Sequence, residues 1–356
     1  MAERRRVLVT GIAGQLAGLL ARALEARDDV ETIVGVDVRE PAHGLDRTRF
    51  VRAAIRNPLV AKVLADEEID TVVHLSTAAG PGSVGGRARM KELNVIGAMQ
   101  LFAACQNAPH LRRVILKSTT AVYGAHHTDP ALFGEQDQPR SPPEYGFAKD
   151  ATEIEQYARE LARRRADIDL TLLRFANFLG PRLDSSFHSL FTLPVVPSQL
   201  GFDPRLQFCH EQDAVDVLVR AATGEHRGTF NVAGDGVLYL SQCIRLAGRV
   251  AAPVPWPLTD AVASAVQRTR RIDITHDQLS FLRHGRAVDT TRVKKDMGFT
   301  PAHTTRAAFE DYVERRRIHG LLDRDEIARW QHGLVDYLQR QSQRRRLARQ
   351  PRTGAR

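Results

Sequence analysis

Two residues one helical turn apart could move a proton. The stretch "PPEYGFAKD" places Tyr145 four residues before Lys149 at the start of a helical pattern. That spacing puts phenol and ammonium on one helix face. A cation beside a phenol favours the phenolate, which can accept a proton from a hydroxyl at neutral pH. The same spacing also occurs by chance on solvated helix faces, so the pair needs a context that gives it a substrate.

A second set of residues supplies one. "VLVTGIAGQLAG" holds Gly11, Gly14 and Ala17 directly after a strand-like run and at the opening of a helix. Gly11 allows a tight turn, Gly14 lets the backbone approach a pyrophosphate at the positive helix terminus, and Ala17 is small enough for helix to pack on sheet. Asp37 ends the next strand-like run, "TIVGVDV". A carboxylate there accepts both ribose hydroxyls of adenosine and repels a 2′-phosphate, which selects NAD over NADP. Arg39, close by, works against that selectivity.

These groups need a frame. "RVLVTG", "TIVGVDV", "RFVRAAI", "TVVHLST", "RRVILKST" and "DLTLLRFAN" read as strands alternating with helical segments, notably 14–26, 88–106 and the one opened by Tyr145. Such alternation predicts an α/β fold, a doubly wound parallel sheet of Rossmann type with helices on both faces. After Asn177 the alternation breaks. "FHSLFTLPVVPSQLGFDP" reads as irregular, "LQFCH" and "GTFNVAG" as returning strands around a helix at 213–222, and 236–318 as helices and turns. The expected division is an NAD-binding domain over 1–178 plus about 206–235, a smaller substrate domain built from insertions at about 179–205 and 236–320, and an extra helix with a basic tail at 321–356. Ile327, Leu334 and Tyr337 give that helix, about 324–340, an apolar stripe expected to dock on the body.

Composition excludes several classes. The formal charge of +9 could suggest a nucleic-acid partner, but seven arginines and no acid lie in 340–356, so only two of the nine charges belong to the rest. No nucleic-acid partner and no integral membrane segment is expected. The opening "MAERRR" and apolar run resemble a secretion signal, but Thr10, Gln15 and Arg22 interrupt the run and the glycines are explained by the nucleotide turn. Cys105, Cys209 and Cys243 are odd in number and widely spaced, which suggests neither a disulfide framework nor a zinc site and fits the cytoplasm. His126 and His127 lack metal-ligand spacing, and no metal is expected. Lysines are scarce at six, so Lys117 and Lys149 stand out among the many arginines.

The chain resembles the extended short-chain dehydrogenases/reductases, and within them the NAD-dependent epimerase/dehydratase family, of the UDP-glucose/galactose 4-epimerase kind. The resemblance is carried, in order, by "TGIAGQLAG", "VVHLST", "ELNVIGAMQLFAAC", "KSTTAVYG", "EYGFAK", "LRFANFLGPR", "HEQDAVDVL", "GTFNVAG" and "DTTRVKKDMGFTP", across residues 7–301. It implies NAD as cofactor and a catalytic set of Tyr145, Lys149 and Thr119. It implies a cofactor surface formed first by Gly11, Ala13, Gly14, Gln15, Leu16 and Asp37. Ile55, Leu75, Ser76 and Thr77 would continue that surface, with Asn94 organising the site around the lysine, and Lys117, Ser118 and Phe175 would complete it together with Tyr145 and Lys149. Thr119, Asn177, Arg182 and Arg205 would meet the substrate.

Five positions depart from the family pattern. Ala54 stands where an Asp usually meets adenine, and Lys117 where a small residue is common beside the nicotinamide. Thr120 and Ala121 replace the Asp-Glu pair of dehydratases, which argues against elimination. Leu206 replaces an arginine, for which Arg205 is the nearest substitute. The resemblance implies an epimerase acting on a nucleotide sugar through a transient ketone. Two alternatives stay open: net oxidation or reduction of a less polar alcohol or ketone, suggested by "FTLPVVP" and Leu206, and a non-catalytic NAD-binding regulator. It also implies a homodimer through helices 88–106 and 146–164, with Ile154, Tyr157, Ala158 and Leu161 as the apolar stripe.

The basic tail lies outside every motif. Truncation after Gln339 is expected to leave turnover intact and to reduce salt-sensitive binding to anionic vesicles, measured by co-sedimentation at two ionic strengths.

Overall fold

The computed structural model describes residues 4–183, 186–191, 193–255 and 276–316. The expected helix at 324–340 and the basic tail lie outside them. Seven parallel strands form the central sheet: β1 (Arg5–Thr10), β2 (Val30–Asp37), β3 (Arg49–Arg52), β4 (Thr71–His74), β5 (Arg113–Thr119), β6 (Asp169–Phe175) and β11 (Gly228–Val232). Their spatial order is β11-β6-β5-β4-β1-β2-β3. The order reverses beside β1, so a crevice opens at the carboxyl ends of β1 and β4.

The helices are α1 (Gln15–Glu25), α2 (Leu59–Asp66), α3 (Arg87–Lys91), α4 (Gly97–Gln106), α5 (Gly146–Arg164), α6 (Ser186–Phe191), α7 (Glu211–Thr223), α8 (Leu240–Leu246), α9 (His276–His284), α10 (Thr291–Asp296) and α11 (Thr305–Arg315). Strand alternation decides which layer each side chain enters. Val7, Val9, Val73, Ile115 and Leu173 pack with Leu20, Leu24, Val217 and Leu218 from α1 and α7. Leu8, Val72, Val114, Leu116 and Leu172 pack with Leu64, Leu101, Phe102 and Ile154 from α2, α4 and α5. The helix expected at 88–106 is interrupted by a π-helical turn, Glu92–Ile96, which joins α3 to α4.

Beyond β6 the chain forms short two-stranded pairings. β7 (Asn177–Leu179) pairs with β10 (Phe208–His210). β8 (Val195–Gln199) pairs with β13 (Val250–Val254), and β9 (Arg205–Leu206) with β12 (Leu238–Tyr239). Two readings are corrected here. "VVPSQ" is a strand rather than irregular chain, and 236–318 contains two short strands besides its helices. Both were hidden because their partners are remote in sequence and proline interrupts the β pattern. This lobe has its own core of Phe187, Phe191, Phe208, Phe281, Phe309 and Tyr312, in which Phe191 meets Phe309 edge-on at 5.0 Å. No helix among the described residues is long and apolar enough to cross a membrane.

One polar knot crosses the α5 layer. Arg174 on β6 donates to both carboxylate oxygens of Glu155 on α5, at 2.9 and 2.7 Å, and Ser118 on β5 donates to the same carboxylate at 2.6 Å. Arg174 also donates to the Tyr123 hydroxyl at 2.8 Å, which donates to Asn231 on β11 at 2.8 Å. Burial alone would push the Glu155 carboxyl up, but the Arg174 and Ser118 hydrogen bonds and the guanidinium charge hold it below the ordinary value. Arg174→Met should therefore cost about 3–5 kcal/mol by urea denaturation, because it strands a buried carboxylate. The sign of the pH effect follows from the lowered folded value. The contribution of Glu155 is complete above the unfolded carboxylate range and is lost as pH falls through the folded value. Melting scans between about pH 5 and 2 should show a steeper loss for the native chain than for Glu155→Gln.

Candidate functional site

Two clefts flank the end of β5 and the start of α5. The first, about 310 Å³, is lined by Gly11, Gly14, Gln15, Leu16 and Ala17 of the first turn, Leu75, Thr77 and Ala79 after β4, Lys117, Ser118 and Thr119 of β5, Phe147, and Phe175 to Phe178 with Leu183. Gly11 has φ +74°, and a Cβ there would lie 2.9 Å from the Ser76 Cα, so only glycine lets the two loops approach. Gly14 caps α1 without a side-chain hydrogen bond, so the helix presents its positive end to an anion there. Among the described residues the Thr77 hydroxyl is buried without a partner. The positive end of a helix, a backbone approach that a Cβ would block and an orphaned hydroxyl in one apolar cleft fit a dinucleotide.

Asp37 stands at the end of β2 beside this turn. Its carboxylate accepts the Ala13 and Arg39 amides at 3.1 and 3.0 Å, which fixes its direction and leaves further lone pairs for ribose hydroxyls. Ala13, Ile55, Ser76 and Asn94 do not line the cleft; they support it. Ile55 is buried beneath Gly97. Fully buried Asn94 binds both the amide and the carbonyl of Ala78, at 2.8 and 2.9 Å, and donates to Asp150 at 3.2 Å. Asp150 is itself held by two 2.6 Å bonds from Arg87. Asn94 thus fastens the loop after β4 to α5, one residue from Lys149.

The second cleft, about 230 Å³, is lined by Ala121, Gly124 and Ala125, by Ser141 to Tyr145, and by Ala148, Ser280 and Arg286. Tyr145 is the residue before α5 and is 51% exposed on this lip. Thr119 lies on the first cleft's side, where its hydroxyl accepts the Ala121 amide at 3.1 Å. Lys149, one turn into α5, stands 3.8 Å from Glu153. Sequence reasoning missed Arg286. It donates to the Gly124 carbonyl at 2.6 Å and to the Thr120 hydroxyl at 3.3 Å, and lies over the Phe281 ring. Its only sequence signal is an arginine in the glycine-containing "HGRAVD", just before a quoted motif.

Other candidates fall differently. Ser118 turns its hydroxyl away from the cleft to Glu155. Asn177 lines the first cleft. Arg182 pairs with Glu211 at 2.8 Å and keeps 56% of its side chain exposed. Arg205 lines neither cleft; its backbone pairs with Tyr239 and accepts from Arg286. Glu135, in the loop before Tyr145, accepts the Asn231 amide at 2.9 Å. His126 and His127 cluster with His284, whose imidazole is held below its usual value by burial and then by Arg283 and the neighbouring histidines. His210, Asp213 and His303 come close enough to share an ion. Their atoms are already committed, however. His210 accepts the Gln212 amide and meets Asp311, and Asp213 accepts the Ala302 and His303 amides.

The family model for the NAD dependent epimerase/dehydratase family matches residues 7–233, which include the glycine turn, Asp37, Thr119, Tyr145 and Lys149. The chain belongs to that family. NAD is accordingly its cofactor, as the resemblance implied. The chain is 44% identical over 338 residues to the uncharacterized protein Rv0501 of Mycobacterium tuberculosis, covering 94% of this chain and 90% of that one. Among solved structures it is similar to MoeE5 in complex with UDP-glucuronic acid and NAD, with a TM-score of 0.68, 22% identity and coverage of 88% of this chain and 99% of the other. It is likewise similar to the UDP-glucose 4-epimerase of Thermotoga maritima with UDP-glucose, with a TM-score of 0.67, 20% identity and coverage of 88% and 98%. At these identities the structural likeness establishes the fold.

Asp37→Ala should weaken NAD binding by roughly tenfold to a hundredfold, the loss of charge-assisted hydrogen bonds, and narrow the gap between NAD and NADP. Titration calorimetry with both dinucleotides checks it, and native binding of NADPH as tight as that of NADH would contradict the role given to Asp37.

Proposed function

We propose that the protein is an NAD-dependent epimerase that inverts a carbinol of a nucleotide sugar through a transient ketone. The observation that carries this reading is the placement of the two clefts beside the end of β5 and the start of α5. Thr119 ends β5 on the dinucleotide side, Tyr145 opens α5 on the other, and Arg286 lines the second cleft beyond them. When bound, NAD⁺ accepts a hydride from the carbinol carbon and returns it.

The chain's own residues handle the proton and the orientation. The Tyr145 phenolate takes the hydroxyl proton as the carbon–hydrogen bond breaks, and gives it back when the bond re-forms on the other face. Lys149, one turn into α5, supplies a positive charge on this side of the site. The Thr119 hydroxyl, with its acceptor side held by the Ala121 amide, donates to the substrate oxygen. Arg286 is held at the cleft wall by Gly124 and Thr120, and its positive charge attracts a diphosphate. Asn177 and the exposed part of Arg182 flank the route between the clefts.

Two features favour epimerisation over the other readings. Where a dehydratase carries an acidic pair, Ala121 presents a methyl group to the cleft and Thr120 accepts from Arg286, so no carboxylate is available there for elimination. The apolar stretch that suggested a less polar substrate is spent elsewhere. Phe191, Val196 and Leu206 are buried in the core of the second lobe. A homodimer and a cytoplasmic setting belong to the same reading. Three buried unbridged thiols suit a reducing compartment. Ile154, Ala158 and Leu161 face inward on the sheet, so a dimer through α4 and α5 would use their outer faces, including exposed Ile96.

Tyr145→Phe removes the proton acceptor and little else. Turnover of UDP-hexoses, followed by NMR of the sugar anomeric signals, should fall at least about a hundredfold while NAD binding is retained. Full activity in the folded variant would overturn the mechanism. Stoichiometric release of NADH by the native protein would favour a net oxidoreductase instead.

A further inference from the structure

Lys117 is a lysine placed where it has nothing to neutralise. It lines the first cleft, on the same face of β5 as Thr119, and among the described residues its ammonium has no hydrogen bond or ion pair. It shares the lining of that cleft with Leu16, Leu75 and Phe175 as well as with Thr77 and Asn177. Burial alone lowers its pKa to about 8, so it remains mostly cationic at pH 7. The titratable groups on neighbouring elements do not compensate it. His74 on β4 is fully buried and neutral, brought down to about 3 by burial and then by the charge of Lys117. On α7, Glu211 is held by Arg182 and Asp213 by the 302–303 backbone. On α5, Tyr145 opens the other cleft and Lys149 faces Glu153.

The position says which part of a dinucleotide would feel this charge. The glycine turn that receives the pyrophosphate follows β1, and β4 lies between β1 and β5, so Lys117 is two strands, about 9–10 Å, away from it. Thr119 is two residues along the same strand, about 7 Å away. Hydride must leave the substrate beside Thr119 and Tyr145. The ring that receives it is cationic before transfer and neutral afterwards. We infer that Lys117 is a positioning charge that shifts the bound cofactor toward its reduced form, by repelling the oxidised nicotinamide more than the neutral one. This rests on the NAD-dependent hydride chemistry proposed above. It would favour the ketone-plus-NADH stage that an epimerase must pass through.

The test is the ratio of NADH to NAD⁺ affinity, read by NADH fluorescence and by competition with NAD⁺ at pH 7. From the Coulomb interaction at this range, Lys117→Met should reduce the preference for NADH by about tenfold or more, while Lys117→Arg retains it. Between pH 7 and 9.5 the native preference should decline toward that of Lys117→Met as the ammonium loses its proton, and the variant's ratio should stay level. Equal weakening of both dinucleotides in Lys117→Met would make Lys117 a pyrophosphate contact and overturn the inference, as would an unchanged ratio. Failure of the native chain to bind either dinucleotide would instead defeat the reading on which the inference rests.

Discussion

The Glu155–Arg174 pair is the constraint on which the site depends. A carboxylate and a guanidinium in the interior are tolerable only when nearly every donor and acceptor is used. Here the pair recruits Ser118, Tyr123 and, through Tyr123, Asn231. Those residues come from α5, β5, β6, β11 and the short 3₁₀ turn after β5. Satisfying the pair therefore fixes the end of β5 against α5, and those are the two elements that carry Thr119 and Tyr145. The geometry of the proposed site is held from beneath by this network.

A second knot does the same on the other side. Arg87, Asp150 and Asn94 lock α3, α5 and the loop after β4 together. The π-helical turn containing Asn94 adds a residue to the helix there and brings its amide to Ala78 and Asp150. Asp150 neighbours Lys149 in sequence but points to the opposite fate: it is wholly buried, whereas the Lys149 side chain is 41% exposed. Adjacent residues on one helix thus divide into an anchor and a working group.

Much of this was legible in the sequence, for physical reasons that also explain the gaps. Parallel strands buried on both faces read as continuous apolar runs, so β1, β2, β4, β5 and β6 were visible one by one. The glycine turn was visible because Gly11 must adopt a positive φ against Ser76. The pairings of β8 with β13 and β9 with β12 were not, because two- and five-residue strands carry no periodicity of their own and join segments far apart in the chain. The stripe Ile154, Ala158 and Leu161 was seen correctly as apolar and assigned to the wrong neighbour. A helical stripe shows that a face is covered, and only the sheet behind it shows by what. Arg286 was hidden because an arginine in a loop is ordinary until the fold brings it to Gly124.

The end of β5 shows how little chain is needed to separate these tasks. Successive side chains alternate between layers, so Lys117 and Thr119 face the dinucleotide cleft while Ser118 faces Glu155. A one-residue slip of β5 would exchange them, burying a lysine beside Arg174 and turning Ser118 to the cleft. The register with β4 and β6 forbids that slip, since it would also turn Val114 and Leu116 out of their core. His74, paired across from Leu116, completes the arrangement. Thr10 accepts the Leu75 and Ser76 amides, so its own proton goes to the His74 Nδ1. That leaves the His74 proton on Nε2 and the imidazole neutral beside Lys117. A neutral His74 neither adds to nor cancels the charge of Lys117.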